Sequence, residues 1–149
     1  MANKIIFAIF LVFFVSACAN KNPSQTLNVL FKSEQIKFKG QGFLNDFKGN
    51  LELDLYNVGN YANSIKISDK ICINKQCYKK RTFNEQFFGK IYYDDLLKDI
   101  LQCKPIFSKK NYTKTELGFS QKIDNINYEK SNQTCIFRQN KTLIKISIN

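Results

Sequence analysis

The sequence predicts an α+β fold, in which a curved antiparallel β-sheet of the meander type carries one packed helix and is stapled by disulfides. Three observations lead to this prediction. Apolar and polar residues alternate over several short segments that turn residues separate, as in strands with one buried face. A single segment, residues 95–102, has helical spacing instead. The chain has five cysteines, four of which can form two pairs.

The N-terminal segment has the layout of a secretory signal. One cation, Lys4, precedes an uncharged and mostly apolar run over residues 5–15. The end of the segment, Val15-Ser16-Ala17-Cys18, resembles the lipobox of bacterial lipoproteins. That resemblance implies a signal peptide over residues 1–17, cleavage before Cys18, a diacylglycerol on its thiol and an acylated amino terminus. The apolar run is shorter than the roughly 20 residues that a membrane-spanning helix needs, and a buried core helix is the remaining alternative.

A short lipidated tether is expected over residues 18–26, because the segment after Cys18 is small and polar and contains Pro23. The residue after the lipidated cysteine is Ala19 rather than aspartate. By resemblance to enterobacterial sorting, this implies the outer membrane, with the domain facing the periplasm. The membrane, through the lipid anchor, is therefore the first expected partner.

The first strands are expected between residues 27 and 79. Residues 27–31 are apolar and leave strand and helix open, whereas residues 35–38 alternate as a strand does. The clearest strand covers residues 47–58, where one face carries Leu51, Leu53 and Leu55. Alternation resumes over residues 64–68, and residues 71–78 form a small hairpin.

The one predicted helix covers residues 95–102. Asp94 can cap it through an amide hydrogen bond in the first turn, and Pro105 ends it. Its apolar stripe, which is expected to lie against the sheet, consists of Leu96, Leu97, Ile100 and Leu101.

Four further strands are predicted after the helix, and the last is the most regular. They cover residues 115–119, 126–128, 134–137 and 143–148. The chain shows no internal repeat and no composition break after the tether. Residues 27–149 are therefore expected to form one periplasmic domain.

Four cysteines remain once Cys18 carries lipid, and an even number in an oxidising compartment indicates disulfides. Cys72 and Cys77 flank four residues, a spacing that suits a bridge across the two arms of a tight hairpin. Cys103 and Cys135 are then left to pair, tying the end of the helix to a late strand. A metal site is the alternative, but the chain lacks Cys-x2-Cys spacing and histidine. The C-x4-C spacing also differs from the C-x-x-C of redox enzymes.

The chain has a net charge of +11, which in general suggests nucleic acid. An envelope lipoprotein meets little nucleic acid, so none is expected as a partner. The available anions are lipid headgroups, lipid phosphates and acidic polymers. We favour the simpler interpretation of solubility combined with an Asn-, Lys- and Ile-rich composition. The abundance of Lys and Asn without Trp or His resembles small lipoproteins of epsilon-class Gram-negative bacteria.

Catalytic chemistry has few candidate residues here. The absence of histidine removes Ser-His-Asp and Cys-His nucleophilic sites. The only adjacent acidic pair, Asp94-Asp95, is better explained by the start of the helix. No phosphate-binding loop or nucleophile elbow is present. We therefore expect no catalytic residue, no metal, no cofactor and no enzymatic activity.

Aromatic residues are the surplus feature, and five of them precede the predicted helix: Phe83, Phe87, Phe88, Tyr92 and Tyr93. Core packing is the favoured interpretation. The alternative is an apolar cavity between helix and sheet, rimmed by Lys79-Lys80-Arg81, that would bind an amphiphile with an anionic head. The basic run itself reads more simply as a solvated hairpin arm.

A sheet-and-helix domain on an N-terminal lipid looks like the outer-membrane receptor of the lipoprotein-sorting pathway, whose half-barrel holds acyl chains. This is a resemblance of fold and not of motif. It implies a non-enzymatic envelope lipoprotein that binds a lipid or an acylated ligand in a cavity between sheet and helix. The alternative is a protein-binding structural or assembly component of the envelope.

Overall fold

The computed structural model describes residues 24–149. The predicted signal peptide, the lipidation site Cys18 and residues 18–23 of the tether lie outside the described residues. The first strand begins at Gln25, so the last two residues of the predicted tether already belong to the sheet.

Eleven strands, two α-helices and one short 3₁₀ turn make up the described domain. The strands are β1 Gln25–Lys32, β2 Lys37–Phe47, β3 Asn50–Asn57, β4 Asn60–Ile67, β5 Lys70–Ile73, β6 Gln76–Lys79, β7 Tyr112–Thr115, β8 Gly118–Ile123, β9 Ile126–Ser131, β10 Thr134–Gln139 and β11 Thr142–Ile148. The helices are α1 Lys80–Phe88 and α2 Leu96–Leu101, and the 3₁₀ turn η1 covers Phe107–Lys109.

All eleven strands belong to one antiparallel sheet with the order β6-β5-β4-β3-β2-β1-β11-β10-β9-β8-β7. Every neighbouring pair is a hairpin except one. That exception is β1 with β11 at the centre, where Leu27 lies opposite Ile148. Two meanders therefore meet at this central pair. Residues 80–111, which we call the helical segment, lead from one edge strand, β6, to the other, β7.

The predicted α+β class is wrong. Strands account for 57% of the described residues and helix, with the 3₁₀ turn, for 14%, so the domain is one large sheet with a small helical addition. The helical part consists of one helix of 9 residues and one of 6 residues, which is too little to form a layer. The predicted helix over residues 95–102 corresponds to the shorter of these, and its predicted cap also differs. Asp95, not Asp94, precedes the helix, and it makes no side-chain capping hydrogen bond.

The longer helix, α1, lies in a segment for which the sequence predicts no helix. Lys79 ends β6 and Lys80 begins α1, so the basic run is a strand-to-helix junction and not a hairpin arm. Phe83 and Phe87 stand four residues apart on the buried side of α1, and Gly89 ends it in the left-handed conformation at φ 72°.

The sheet curves strongly around the helices. The Phe83 ring lies 6.2 Å from Tyr78 of β6, and the Phe88 ring lies 5.5 Å from Phe137 of β10. In a flat sheet these two strands, seven positions apart, would be separated by about 34 Å. Five residues of helix rise only about 7.5 Å. The two halves of the sheet must therefore bend towards each other, with α1 on the concave side.

The concave face is the core of the domain. Strand residues alternate between it and solvent, so that Leu51, Leu53 and Leu55 of β3 are all buried. Gly42 belongs to this face, where a Cβ atom would approach Leu53 Cδ1 to 2.8 Å and Val29 Cγ2 to 2.9 Å. Only glycine fits there without displacing its neighbours.

Both expected disulfides are present. Cys72 and Cys77 lie directly opposite each other on β5 and β6. Cys103, which follows α2, is bonded to Cys135 of β10. The second bond fixes the helical segment to the concave face of the sheet.

Candidate functional site

The five aromatic residues singled out in the sequence lie together between the helical segment and the sheet. Phe83, Phe87 and Phe88 have exposed fractions of 3%, 5% and 4%. Tyr92 and Tyr93 are partly buried and pack against the same core. The structure thus brings the five together, and it uses them as core side chains.

These rings continue into a longer series that joins the two edges of the sheet. Each ring centroid lies between 4.9 and 6.2 Å from the next. Ring pairs at such distances contribute roughly 0.5–1.5 kcal/mol each beyond their buried area. From β7 to β6 the series runs through Tyr112, Phe119, Tyr128, Phe137, Phe88, Phe87, Phe83 and Tyr78.

Side-chain amides hold the helical segment to the sheet. Gln139 of β10 donates through Nε2 to the Tyr92 hydroxyl at 2.7 Å and to the Phe88 carbonyl at 3.2 Å. Within the segment, Asn84 Nδ2 donates to the Tyr93 carbonyl at 2.9 Å. Gln139 and Asn84 are both buried, so they fix the position of the tyrosines with which they interact.

A small polar cluster lies beneath α2. The Tyr93 hydroxyl donates to Asp99 Oδ2 at 2.8 Å. Burial raises the pKa of Asp99, although the hydrogen bond from Tyr93 opposes that shift. Burial also raises the pKa of both Tyr93 and Tyr128 well above the usual value of a tyrosine. The two tyrosine hydroxyls therefore keep their protons to a higher pH than exposed tyrosines do.

Four buried side-chain polar atoms have no hydrogen-bond partner among the described residues. They are Asn84 Oδ1, Gln102 Oε1, Gln139 Oε1 and the Tyr128 hydroxyl. An unpaired buried polar group costs about 1–3 kcal/mol. The apolar interior therefore contains a few polar groups able to accept or donate a hydrogen bond.

Two depressions open at the ends of the concave face. One, of about 260 Å³, is lined by Phe87, Phe88 and Gln139 among others. The other, of about 550 Å³, is lined by Leu44, Leu51 and Gln102 among others and includes the start of β1. The interior is thus filled at its centre by rings and accessible from both ends.

The basic run does not form a rim of free cations around this interior. Lys80 Nζ is 2.8 Å from Asp95 Oδ1, and its side chain is only 15% exposed. The hydrogen bond from Lys80 lowers the pKa of Asp95. Lys80 therefore joins α1 to the start of α2, while Lys79 and Arg81 are exposed.

The described residues contain no group of three or more acidic, cysteine or histidine side chains placed to hold a metal ion. None of their helices is both long enough and apolar enough to cross a membrane. No protein-family model and no curated protein matches the chain. The geometry described above is therefore the basis for assigning a function to the candidate site.

Proposed function

We propose that this chain is a non-enzymatic lipoprotein of the cell envelope that binds a lipid or an acylated ligand between its sheet and its helices. In this proposal Cys18 carries the lipid anchor, and the domain faces the periplasm from the outer membrane. The lipobox-like Val15-Ser16-Ala17-Cys18 supports the anchor. The resemblance to the sorting receptor, with its half-barrel for acyl chains, supports the ligand class.

The observation that carries the proposal is the shape of the apolar interior. One face of an eleven-stranded sheet is apolar and strongly curved. A single segment, residues 80–111, covers it. The segment already buries this face with its own rings, so a long apolar chain would fit the face where residues of the segment move away.

An acyl chain would enter by replacing rings of the helical segment on the sheet. Outward movement of α1 exposes apolar surface, and an acyl chain that covers this surface again offsets part of the cost. The unpartnered Tyr128 hydroxyl can then donate a hydrogen bond to a carboxyl or ester oxygen, whereas the amide oxygens Asn84 Oδ1 and Gln139 Oε1 can accept one from a hydroxyl or N–H of the ligand. The disulfide from Cys103 to Cys135 keeps the end of α2 on β10. It acts as the pivot about which α1 moves.

Tryptophan reporters can test this binding directly, because the chain contains no tryptophan. In the Tyr92→Trp variant the reporter lies against the interior, and in the Tyr61→Trp variant it lies on the outer face, where Tyr61 is 57% exposed. We expect a brominated fatty acid to quench the Tyr92→Trp variant at about micromolar concentration and to leave the Tyr61→Trp variant unchanged. Each methylene added to a short fatty acid should improve affinity about fourfold, since its burial is worth about 0.8 kcal/mol.

Glycerol phosphate, which has a headgroup but no acyl chain, should not displace the brominated fatty acid. Equal quenching of both variants would show nonspecific adsorption. Absence of quenching in the Tyr92→Trp variant would contradict an internal acyl site.

The anchor is tested separately with the Cys18→Ala variant. We expect the wild-type protein to incorporate labelled palmitate and to sediment with membranes after a high-salt wash. The variant should incorporate no label and should leave the membrane fraction, because the acyl chains provide the attachment. A variant that stays bound without label would contradict the lipoprotein assignment. The Cys103→Ala variant, which keeps the lipobox, is the control for loss of a cysteine elsewhere.

A second candidate function, binding of an envelope protein, is favoured by aromatic side chains on the convex face. The Phe43 and Tyr56 rings lie 5.5 Å apart, and those of Tyr56 and Tyr61 lie 5.7 Å apart. Val58, in the turn between β3 and β4, is 93% exposed. Crosslinking in intact membranes should recover a stable partner if this function holds, and Tyr61→Ala should reduce its yield.

A further inference from the structure

The convex side of the three central strands carries an unbalanced positive charge. Outward-facing positions on β2, β1 and β11 hold four lysines and no carboxylate. The four are Lys32, Lys37, Lys39 and Lys145. We call this surface the central lysine face.

The strand register places these cations close together. Lys32 lies directly opposite Lys37. Leu30 of β1 has Lys39 opposite it on one side and Lys145 on the other. Like charges in facing positions of a sheet destabilise it, so the pattern works against folding stability unless an anion covers it.

The acidic residues of the domain do not neutralise this face. Four ion pairs occur among the described residues, and none of them includes a lysine of the central lysine face. They are Lys66–Glu52, Lys80–Asp95, Arg138–Glu129 and Lys141–Glu34. The four lysines of the face therefore have no ion-pair partner among the described residues.

The same surface contains a groove of about 510 Å³ that runs between Lys39 and Lys145. Leu30 is part of its floor, and the polar side chains of Asn28, Gln41 and Ser147 line it. Cations on both sides with neutral hydrogen-bond donors between them suit a phosphate group that carries an apolar neighbour.

We propose that the central lysine face docks on the anionic phospholipid surface of the membrane that anchors the protein. This site lies on the opposite side of the sheet from the acyl interior, and it rests on the lipid anchor proposed above. Six residues lie between Cys18 and Gln25, where β1 begins, and the seven steps between the two reach at most about 25 Å. Leu30, which lies between Lys39 and Lys145, is about 17 Å further along β1. The anchor and the lysines can therefore meet one membrane plane when the convex face lies on it.

Docking has a functional consequence. With the convex face on the lipid, the helical segment on the concave side points away from the membrane. The segment that must move to admit a ligand then faces the aqueous side.

Lysine reactivity on vesicles tests the proposal. Purified mature protein is transferred from detergent to vesicles of phosphatidylcholine alone, or to vesicles in which a third of the lipid is phosphatidylglycerol. Vesicles are floated, and lysines are acetylated and quantified by mass spectrometry. On the anionic vesicles we expect acetylation of the four face lysines to be slowed at least about threefold relative to neutral vesicles, and the protection to vanish at high salt. Lys75 and Lys114, near the two far edges of the sheet, serve as controls and should not change.

The Lys39→Glu, Lys145→Glu double variant should lose the protection of Lys32 and Lys37. The Lys75→Glu, Lys114→Glu variant, with the same change of net charge, should retain it. Flotation with neutral vesicles reports the anchor alone, so loss of the anchor and loss of docking give different results. Protein that floats only with anionic vesicles retains docking without an anchor. Equal reactivity on both vesicle types would overturn the proposal, and protection seen only in intact envelopes would assign the face to an acidic protein.

Discussion

Replacing Phe88 with alanine is expected to destabilise the domain by about 3–5 kcal/mol. Phe88 is 4% exposed and is the ring through which α1 contacts β10, at 5.5 Å from Phe137. It also contacts Phe87 and Tyr92. Loss of this ring removes buried apolar area and leaves a cavity at the junction between helix and sheet. Urea unfolding followed by circular dichroism would measure the change.

Phe47→Ala is the matched control for this substitution. Phe47 ends β2 and is 43% exposed, so its truncation should cost less than about 1 kcal/mol. Comparable losses in the two variants would mean that the ring series does not hold the helical segment on the sheet. If the acyl-binding proposal holds, the Phe88→Ala variant should also bind fatty acid more tightly than wild type, because one competing ring is gone.

Removal of the Cys103–Cys135 bond is the change with the second largest expected effect. The bond spans 32 residues, whereas the Cys72–Cys77 bond spans 5. Loop-closure entropy predicts a loss of about 3–4 kcal/mol for the long bond and about 2 kcal/mol for the short one. The double alanine variants, compared by thermal unfolding under non-reducing conditions, should therefore differ clearly.

Removal of the two bonds should also destabilise different parts of the domain. The Cys103, Cys135 double variant frees the C-terminal end of the helical segment. Amide exchange should consequently increase in α1 and α2 before it increases in the central strands. The Cys72, Cys77 double variant should increase exchange only in β5 and β6. Uniform exchange increases in both variants would contradict the role of the longer bond as a pivot.

Sequence reasoning located most of the strands because alternation is a local signal. Leu51, Leu53 and Leu55 identify β3, and Ile144 and Ile146 identify β11, from the period of two alone. The cysteine pairing followed from the same local description, since a hairpin brings Cys72 opposite Cys77. Residues 27–31 carried too short an apolar run to separate strand from helix, and tertiary pairing makes them the central strand β1.

The fold class failed because the sheet is larger than the separate strands indicate. Helix α1 was missed as well, since its residues were interpreted as a basic run and an aromatic cluster, although Phe83, Asn84, Phe87 and Phe88 lie on one helical face. The i, i+4 spacing of Phe83 and Phe87, with Gly89 at the end, was the available signal for α1. The extent of the sheet could not be predicted from any short stretch of sequence, because it depends on the pairing of β1 with β11.

Some residues of the candidate site could be identified from the sequence, and others could not. The five aromatic residues were identified because they cluster in the sequence, and the structure places them together in the core. Gln139 and Tyr128 were missed because each lies alone on a strand that gives no indication of what faces it. The central lysine face depends on register between strands far apart in sequence, so Lys39 and Lys145 have no local signature in common.

The pairing of β1 with β11 governs how quickly this protein can fold. Leu27 and Ile148 meet across 121 residues, whereas every other strand pair joins consecutive strands. Hairpins on either side can form independently within microseconds. The pairing of β1 with β11 forms only after nearly the whole chain is available. High contact order of this kind slows folding to milliseconds or seconds. Until closure, each half presents an unpaired edge strand, and that interval is when self-association competes with folding.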